Sequence, residues 1–192
     1  MIRFALIVLA AFAITGCNTD GFDELPPRGG AGNGTIITPS KPNTGSSTGN
    51  WAYHTVSNDS GIFDATATVY SINEYKMVGY ETLKGNSFAQ AERIKLSSGV
   101  QEKVTIFADS DIACTPSCKV MVKGNSNTTL TLTNGISMAV KGIDAATDKK
   151  LYEIFTNSNT VIVVLPLVKE GAFSAEFDTR NFDKSKMKLY GE

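Results

Sequence analysis

The sequence predicts a mainly β domain, an antiparallel sandwich or strongly bent sheet of about eight strands with one short helix packed across it. Three observations point there. From residue 51 onward, apolar and polar residues alternate with a period of two in run after run. Those runs are rich in β-branched and aromatic side chains, which suit a pleated surface. Clusters of Gly, Asn, Asp and Ser separate them at short intervals, as turns between strands require.

Taken in order, Trp51, Tyr53 and His54 open the first strand, and Asn58-Asp59-Ser60-Gly61 turns it. Thr66-Ala67-Thr68-Val69-Tyr70-Ser71-Ile72 alternates, Gly85-Asn86 marks a turn, and Val104-Thr105-Ile106-Phe107 alternates again. Lys119-Val120-Met121-Val122-Lys123 and residues 128–133 flank the turn signal Gly124-Asn125. Asn134-Gly135, between strand-like runs, is the strongest hairpin signal in the chain. Residues 144–155 begin with an acid and place Ala145, Leu151, Ile154 and Phe155 at helical spacing, which predicts the one helix. Val161-Ile162-Val163-Val164-Leu165 is apolar on both faces and is expected to be a central strand covered on both sides. After Glu170-Gly171, residues 172–177 alternate once more, and residues 183–189 end the chain with a turn of helix.

The first fifty residues have a different character. Met1-Ile2-Arg3 carries one positive charge, residues 4–14 are apolar without interruption, and Thr15-Gly16 supplies small residues before Cys17. An apolar run of about eleven residues is roughly 16 Å as a helix, too short for a bilayer core of about 30 Å. A charged start, a short apolar segment and small residues before a cut site describe a secretory signal over residues 1–16. Ile14-Thr15-Gly16-Cys17 also resembles the lipobox of bacterial lipoproteins. The resemblance implies that Cys17 is diacylated and becomes the N-terminus after cleavage by signal peptidase II. Acyl chains hold a protein on a membrane because each buried methylene contributes about 0.8 kcal/mol, and two or three chains together suffice. In enterobacterial lipoproteins Asp after the cysteine favours the inner membrane; Asn18 here implies the outer membrane. Residues 17–50, rich in Gly, Pro, Ser, Thr and Asn, read as a lipidated N-terminus and linker. As a flexible coil such a stretch spans about 30 Å, and extended it reaches about 110 Å. Its patch Thr35-Ile36-Ile37-Thr38 could add a strand to a partner's sheet edge, or be plain linker.

With Cys17 lipidated, two of the three cysteines remain, in Cys114-Thr115-Pro116-Ser117-Cys118. In a chain that leaves the cytosol this spacing, with Pro116 to turn the backbone, predicts a disulfide that pins a loop. A redox dithiol and a zinc site are the alternatives. The first normally has closer cysteines at a helix start, and the second needs ligands that a single histidine, His54, does not supply.

Charge and motifs exclude several functions. Lys plus Arg number 18 and Asp plus Glu 19, so no basic field exists for nucleic acid. Neither a P-loop nor Gly-x-Gly-x-x-Gly occurs, no Gly-x-Ser-x-Gly elbow accompanies His54, and no cofactor or metal is implied. Asp109 and Asp111 share a strand face by spacing and could do carboxylate chemistry or hold calcium, or could simply end a strand. Tyr70, Tyr75, Tyr80, Phe107, Phe173 and Phe177 could line a groove or fill a core. Asn125, Asn127, Thr128, Thr129, Thr131 and Thr133 offer an uncharged polar face.

In spacing and hydrophobic rhythm, residues 51–182 also resemble small secreted β-domains associated with bacterial secretion systems. Together these readings predict a non-enzymatic, lipid-anchored envelope protein, bound to the membrane through its acyl chains, whose β-domain binds another envelope component, in the first place a protein, as an assembly, accessory or exclusion factor. A small-molecule or glycan-binding module is the alternative, and a hydrolase built on Asp109, Asp111 and a third acid the next. Replacing Cys17→Ser is expected to abolish incorporation of radiolabelled palmitate and release the chain from the membrane fraction. Retained label would move the lipidation site elsewhere.

Overall fold

The computed structural model describes residues 51–192, so the predicted signal segment, Cys17 and the linker lie outside the described residues. Eleven strands, one helix and a short 3-10 turn follow one another: β1 Ala52–Asn58, β2 Gly61–Tyr70, β3 Tyr75–Lys76, β4 Lys84–Gly85, β5 Ser87–Leu96, β6 Gly99–Ala108, β7 Cys118–Lys123, β8 Asn127–Ile136, β9 Ala139–Gly142, α1 Ala145–Asn157, β10 Thr160–Leu167, β11 Gly171–Asp178 and the turn Lys184–Met187. Nine strands form one antiparallel sheet in the order β1-β2-β5-β6-β9-β8-β7-β10-β11, and β3 pairs with β4 in a separate ribbon. The mainly β, bent-sheet architecture read from the sequence is the one adopted.

One face of this sheet carries the core. Alternation turns Ala65, Ala67 and Val69 of β2 inward with Ala89 and Ala91 of β5, Val104 and Ile106 of β6, and Leu130 and Leu132 of β8. Val120, Val122, Val161, Val163, Leu165, Ala175 and Phe177 continue the same layer, and α1 adds Leu151, Tyr152 and Phe155 to the same cluster. The helix starts where Asp144 caps it, accepting a hydrogen bond from the Thr147 N–H at 2.7 Å. It lies close on β9 because Gly142 is bare: a Cβ there would run into the backbone and carboxylate of Asp148. Asp148 is buried, and its Oδ1 accepts from the Gly142 N–H at 2.8 Å.

A sheet with a single buried face must curl to enclose it, and its ends meet. Ser71, just past β2, bridges Phe177 of β11, and the Ile72 N–H donates to the Glu176 carbonyl at 2.8 Å. Asn73 then imitates a strand with its side chain, donating to the Ser174 carbonyl at 2.7 Å and accepting from the Glu176 N–H at 2.9 Å. The segment after β11 folds back onto β1. Trp51 Nε1 donates to the Thr179 carbonyl at 3.2 Å, the Trp51 and Phe182 rings meet edge-on at 5.0 Å, and the Tyr53 hydroxyl accepts from the Asp183 N–H.

Two expectations need correction. Asn134-Gly135 is not the hairpin turn. β8 continues to Ile136, a bulge falls between Asn134 and Ile136, and the turn is Ser137-Met138. The Asn134 amide is engaged elsewhere, donating to the Ile112 carbonyl at 3.1 Å, so it holds the loop before β7 instead of turning a hairpin. Nor is β10 covered on both sides. It lies one strand in from the edge; Val161, Val163 and Leu165 are buried, but Ile162 and Val164 on the outer face are only half-buried.

Phe177 is fully buried and packs against Phe155 at 5.4 Å, so Phe177→Ala is expected to cost about 3–5 kcal/mol in chemical denaturation. Burial pushes the Asp148 carboxyl above the ordinary aspartate range, against the pull of its bond from Gly142. The fold therefore favours the protonated form. The stability linked to Asp148 is greatest below its unfolded pKa and declines as pH rises through the raised folded value. Asp148→Asn, which keeps the acceptor but cannot ionise, should gain on the wild type as denaturation curves are taken from about pH 3 to 7.

Candidate binding site

The Cys114–Cys118 disulfide forms, with Cα atoms 4.7 Å apart, in the loop between β6 and β7. Cys114 is buried and Cys118 begins β7. The Thr133 hydroxyl donates to the Pro116 carbonyl at 2.7 Å, which ties the loop to β8. The bridge thus fixes how the chain leaves β6, and that exit carries Asp109, Ser110 and Asp111.

Four connections meet there. The Ala108 N–H donates to the Met138 carbonyl at 3.0 Å and the Ile112 N–H to the Ser137 carbonyl at 2.7 Å, joining the β6–β7 loop to the β8–β9 turn. The Val168 N–H donates to the Asp111 carbonyl at 2.9 Å, bringing in the β10–β11 turn. Glu170 Oε1 accepts from the Val78 N–H at 3.2 Å, which adds the segment between β3 and β4. These connections enclose a recess of about 200 Å³ whose walls include Asp109, Asp111 and Glu170 together with Met77, Val78, Tyr80, Met138 and Val168.

The apolar members are out of place by ordinary rules. Val78 is 53% exposed, Tyr80 54% and Val168 58%, with Leu83 also exposed on the connection between β3 and β4. Gathered large apolar side chains on a soluble surface are the usual mark of an interaction site. The polar members are unevenly satisfied. Asp109 Oδ2 accepts from the Asn86 N–H at 2.8 Å, whereas Glu170 Oε2 is buried and has no hydrogen-bond partner. Tyr75, whose ring lies over Gly85, where a Cβ would collide with it, is 8% exposed. Burial raises the pKa of its hydroxyl; a hydrogen bond with the Ser110 side chain opposes the rise, the charges of Asp109 and Glu170 add to it, and a hydrogen bond with the Asp109 backbone again opposes it. Lys169 also lines the recess and makes no ion pair among the described residues.

A second cleft, of about 400 Å³, opens between α1, the hairpin ends of β5 and β6, and the C-terminal segment. Arg93 sits in its wall with its donors taken: by Glu102 at 3.0 Å, the Met187 carbonyl at 2.9 Å and both carboxylate oxygens of Glu192.

The other sequence-nominated residues lie elsewhere. His54 is exposed on edge strand β1, opposite Thr66. Nearby Asp64 is pushed up in pKa by burial and by Glu92, against Lys103 and His54. Phe173 and Phe177 belong to the core; Tyr70 and Phe107 instead join Phe88 in an outer-face ladder, with Phe88 and Phe107 stacked at 4.5 Å. Thr129, Thr131 and Thr133 lie on the outer face of β8, but Thr128 pairs with Val122 on the core side, so the proposed polar face is not continuous. Asp109 and Asp111 do meet a third acid, Glu170, in one recess, although among the described residues no three such side chains are gathered tightly enough to hold a metal ion. Sequence reasoning missed Glu170, Met77, Val78, Met138 and Val168. Their signal was faint: large apolar residues at turns, where polar ones are usual.

The fold and the recess define the class: a small antiparallel β-domain with an apolar, acidic surface recess at the meeting of four connections. Compared with known protein families, with curated proteins and with solved structures, the chain has no match. No helix among the described residues is long and apolar enough to cross a membrane.

The loop closed by Cys114 and Cys118 is short, so losing the disulfide should cost at most about 2 kcal/mol. Cys114→Ser with Cys118→Ser is expected to remain folded by circular dichroism while amide exchange accelerates from Asp109 to Ser117. Unfolding of the whole domain would show the bridge to matter far more than a local tie.

Proposed function

We propose that this chain is a lipid-anchored protein of the bacterial envelope whose β-domain binds another envelope protein through the recess between the β6–β7 loop and the β8–β9 and β10–β11 turns. The observation that carries the reading is the exposure of Val78, Tyr80, Met138 and Val168 around one concavity. Each of these groups leaves water when a partner covers it, and such burial drives association. The lipobox-like Ile14-Thr15-Gly16-Cys17 and the linker of residues 17–50 support the anchored part of the reading. A module for a small molecule or glycan is the second reading, favoured by the size of the cleft beside Arg93. The Arg93 donors are already occupied by Glu102, Met187 and Glu192, so a ligand there would have to displace internal bonds, and the first reading stands ahead.

A photo-crosslinking amino acid in place of Val168 in the full chain, in living cells, is expected to give one discrete adduct with an envelope protein. The same residue in place of Lys149, exposed on α1, should give none. Equal, diffuse labelling from both positions would overturn the docking reading. Cys17→Ser should weaken the Val168 adduct by removing the chain from its partner's membrane.

A further inference from the structure

The large sheet has two outer strands, β1 and β11, and only β11 has its outer side covered. There the Ile72 N–H donates to the Glu176 carbonyl, and the Asn73 side chain bonds both Ser174 and Glu176. β1 is met by the segment after β11 at Trp51 and Tyr53, but every residue from His54 to Asn58 is exposed. Among the described residues, the main chain of that stretch pairs with β2 and with no other strand. An open strand edge is a template for another strand, and soluble proteins usually blunt it with charge, proline, a bulge or short length. β1 uses none of these devices. It runs for seven residues, Ala52–Asn58, without a Lys, Arg, Asp, Glu or Pro among them. The bulge beside it belongs to β2: Val56 faces Asp64 and Ser57 faces Ile62, so Phe63 is the extra residue and β1 itself stays regular.

We propose that β1 pairs with β1 of a second copy of this chain, antiparallel and about a two-fold axis at Val56, so that two sheets join into one. The strand's own sequence argues for this occupant. A two-fold pairing sets each residue opposite a residue of the same strand, so it succeeds only where the strand complements itself. About Val56 it does so over the whole open stretch. Val56 meets Val56 of the second copy, Thr55 meets Ser57, and His54 meets Asn58. These are a β-branched apolar pair, a hydroxyl pair and an imidazole with an amide, and matched cross-strand neighbours are what stabilise strand pairing. The axis also covers Val56, a large apolar side chain that is 39% exposed in the single chain. A strand of another protein would find no charge here to fix its choice or its register. Five residues on each side make a small interface, so the dimer is reversible and forms as concentration rises. No residue that lines the recess belongs to β1, so self-pairing and the docking proposed above use different surfaces, and either holds without the other.

The test is sedimentation velocity of the full chain in a density-matched detergent, with micelles in large excess over chains. The wild type is expected to pass from monomer to dimer as its concentration rises, and the amides of residues 54–58 to gain protection from exchange over the same range. Val56→Lys and Val56→Glu each set two like charges opposite one another at the axis, on an exposed side chain whose replacement should leave the circular dichroism of the fold unchanged. Each is expected to weaken the dimer at least roughly tenfold. An equimolar mixture of the two variants should restore it, because opposite charges then meet. Met121→Lys, exposed on β7, adds the same charge elsewhere and should leave the dimer as it was. A wild type that stays monomeric at every concentration, its edge left to a strand of another protein or to none, would overturn the proposal. So would a dimer indifferent to Val56→Lys, or one that the mixture fails to restore.

Discussion

The domain depends on one joint, where the chain leaving β2 meets β11. A nine-stranded sheet with a single apolar face cannot hide that face while it lies flat, and the two-stranded β3–β4 ribbon, which adds Tyr75 to the core, is too small to cover it. Curling is the available solution, and it is stable only if the two ends are held together. Ser71, Ile72 and Asn73 do this with backbone and amide hydrogen bonds to β11, and Trp51 and Tyr53 bind the segment that follows it. Small interior residues make the curl geometrically possible. Ala65, Ala67, Ala89 and Ala91 keep the wall formed by β2 and β5 thin, so the enclosed space is left to α1 and the larger side chains of β8, β10 and β11.

The recess is a by-product of the same closure. Once the sheet has curled, the connections that leave β3, β6, β8 and β10 are brought against one another; backbone bonds join the last three, and the Glu170 carboxylate, accepting from the Val78 N–H, ties in the first. Pairing fixes the loops without filling the space between them. The disulfide adds a covalent limit on the β6–β7 loop, so the acids on that loop are presented from a fixed backbone. A rigid frame carrying exposed apolar and charged side chains loses little conformational freedom on binding, which is what preorganised recognition requires.

Much of the fold was legible in the sequence because it rests on local rules. Period-two alternation marked β2, β6, β7, β8 and β11, Asp144 and the spacing of Leu151 and Phe155 marked α1, and Asn58 to Gly61 marked a turn that forms. β5 was not recognised, because Glu92, Arg93 and Lys95 interrupt its alternation; Arg93 points inward and is matched by Glu102 and Glu192, a compensation only the tertiary structure reveals. Asn134-Gly135 misled for a similar reason. Its turn propensity is real, but a distant carbonyl, that of Ile112, captured the asparagine. The candidate site was half legible. Asp109 and Asp111 stand two apart in sequence, whereas Glu170 and Val78 join them only through contacts between residues far apart in the chain.

The joint between Trp51 and Thr179 spans 128 residues of sequence. Its two halves are therefore made at opposite ends of the domain's synthesis, and the closing contacts are among the last the domain itself can form. Long-range pairings of this kind are slow to form, because the entropy of closing a large loop is lost before any contact is gained. Until the residues after β11 emerge, β1 has no second neighbour and the interior stays open. A domain with this topology stays unfinished until its last strand and the segment after it have been made, so its stability is acquired in one late step and not strand by strand.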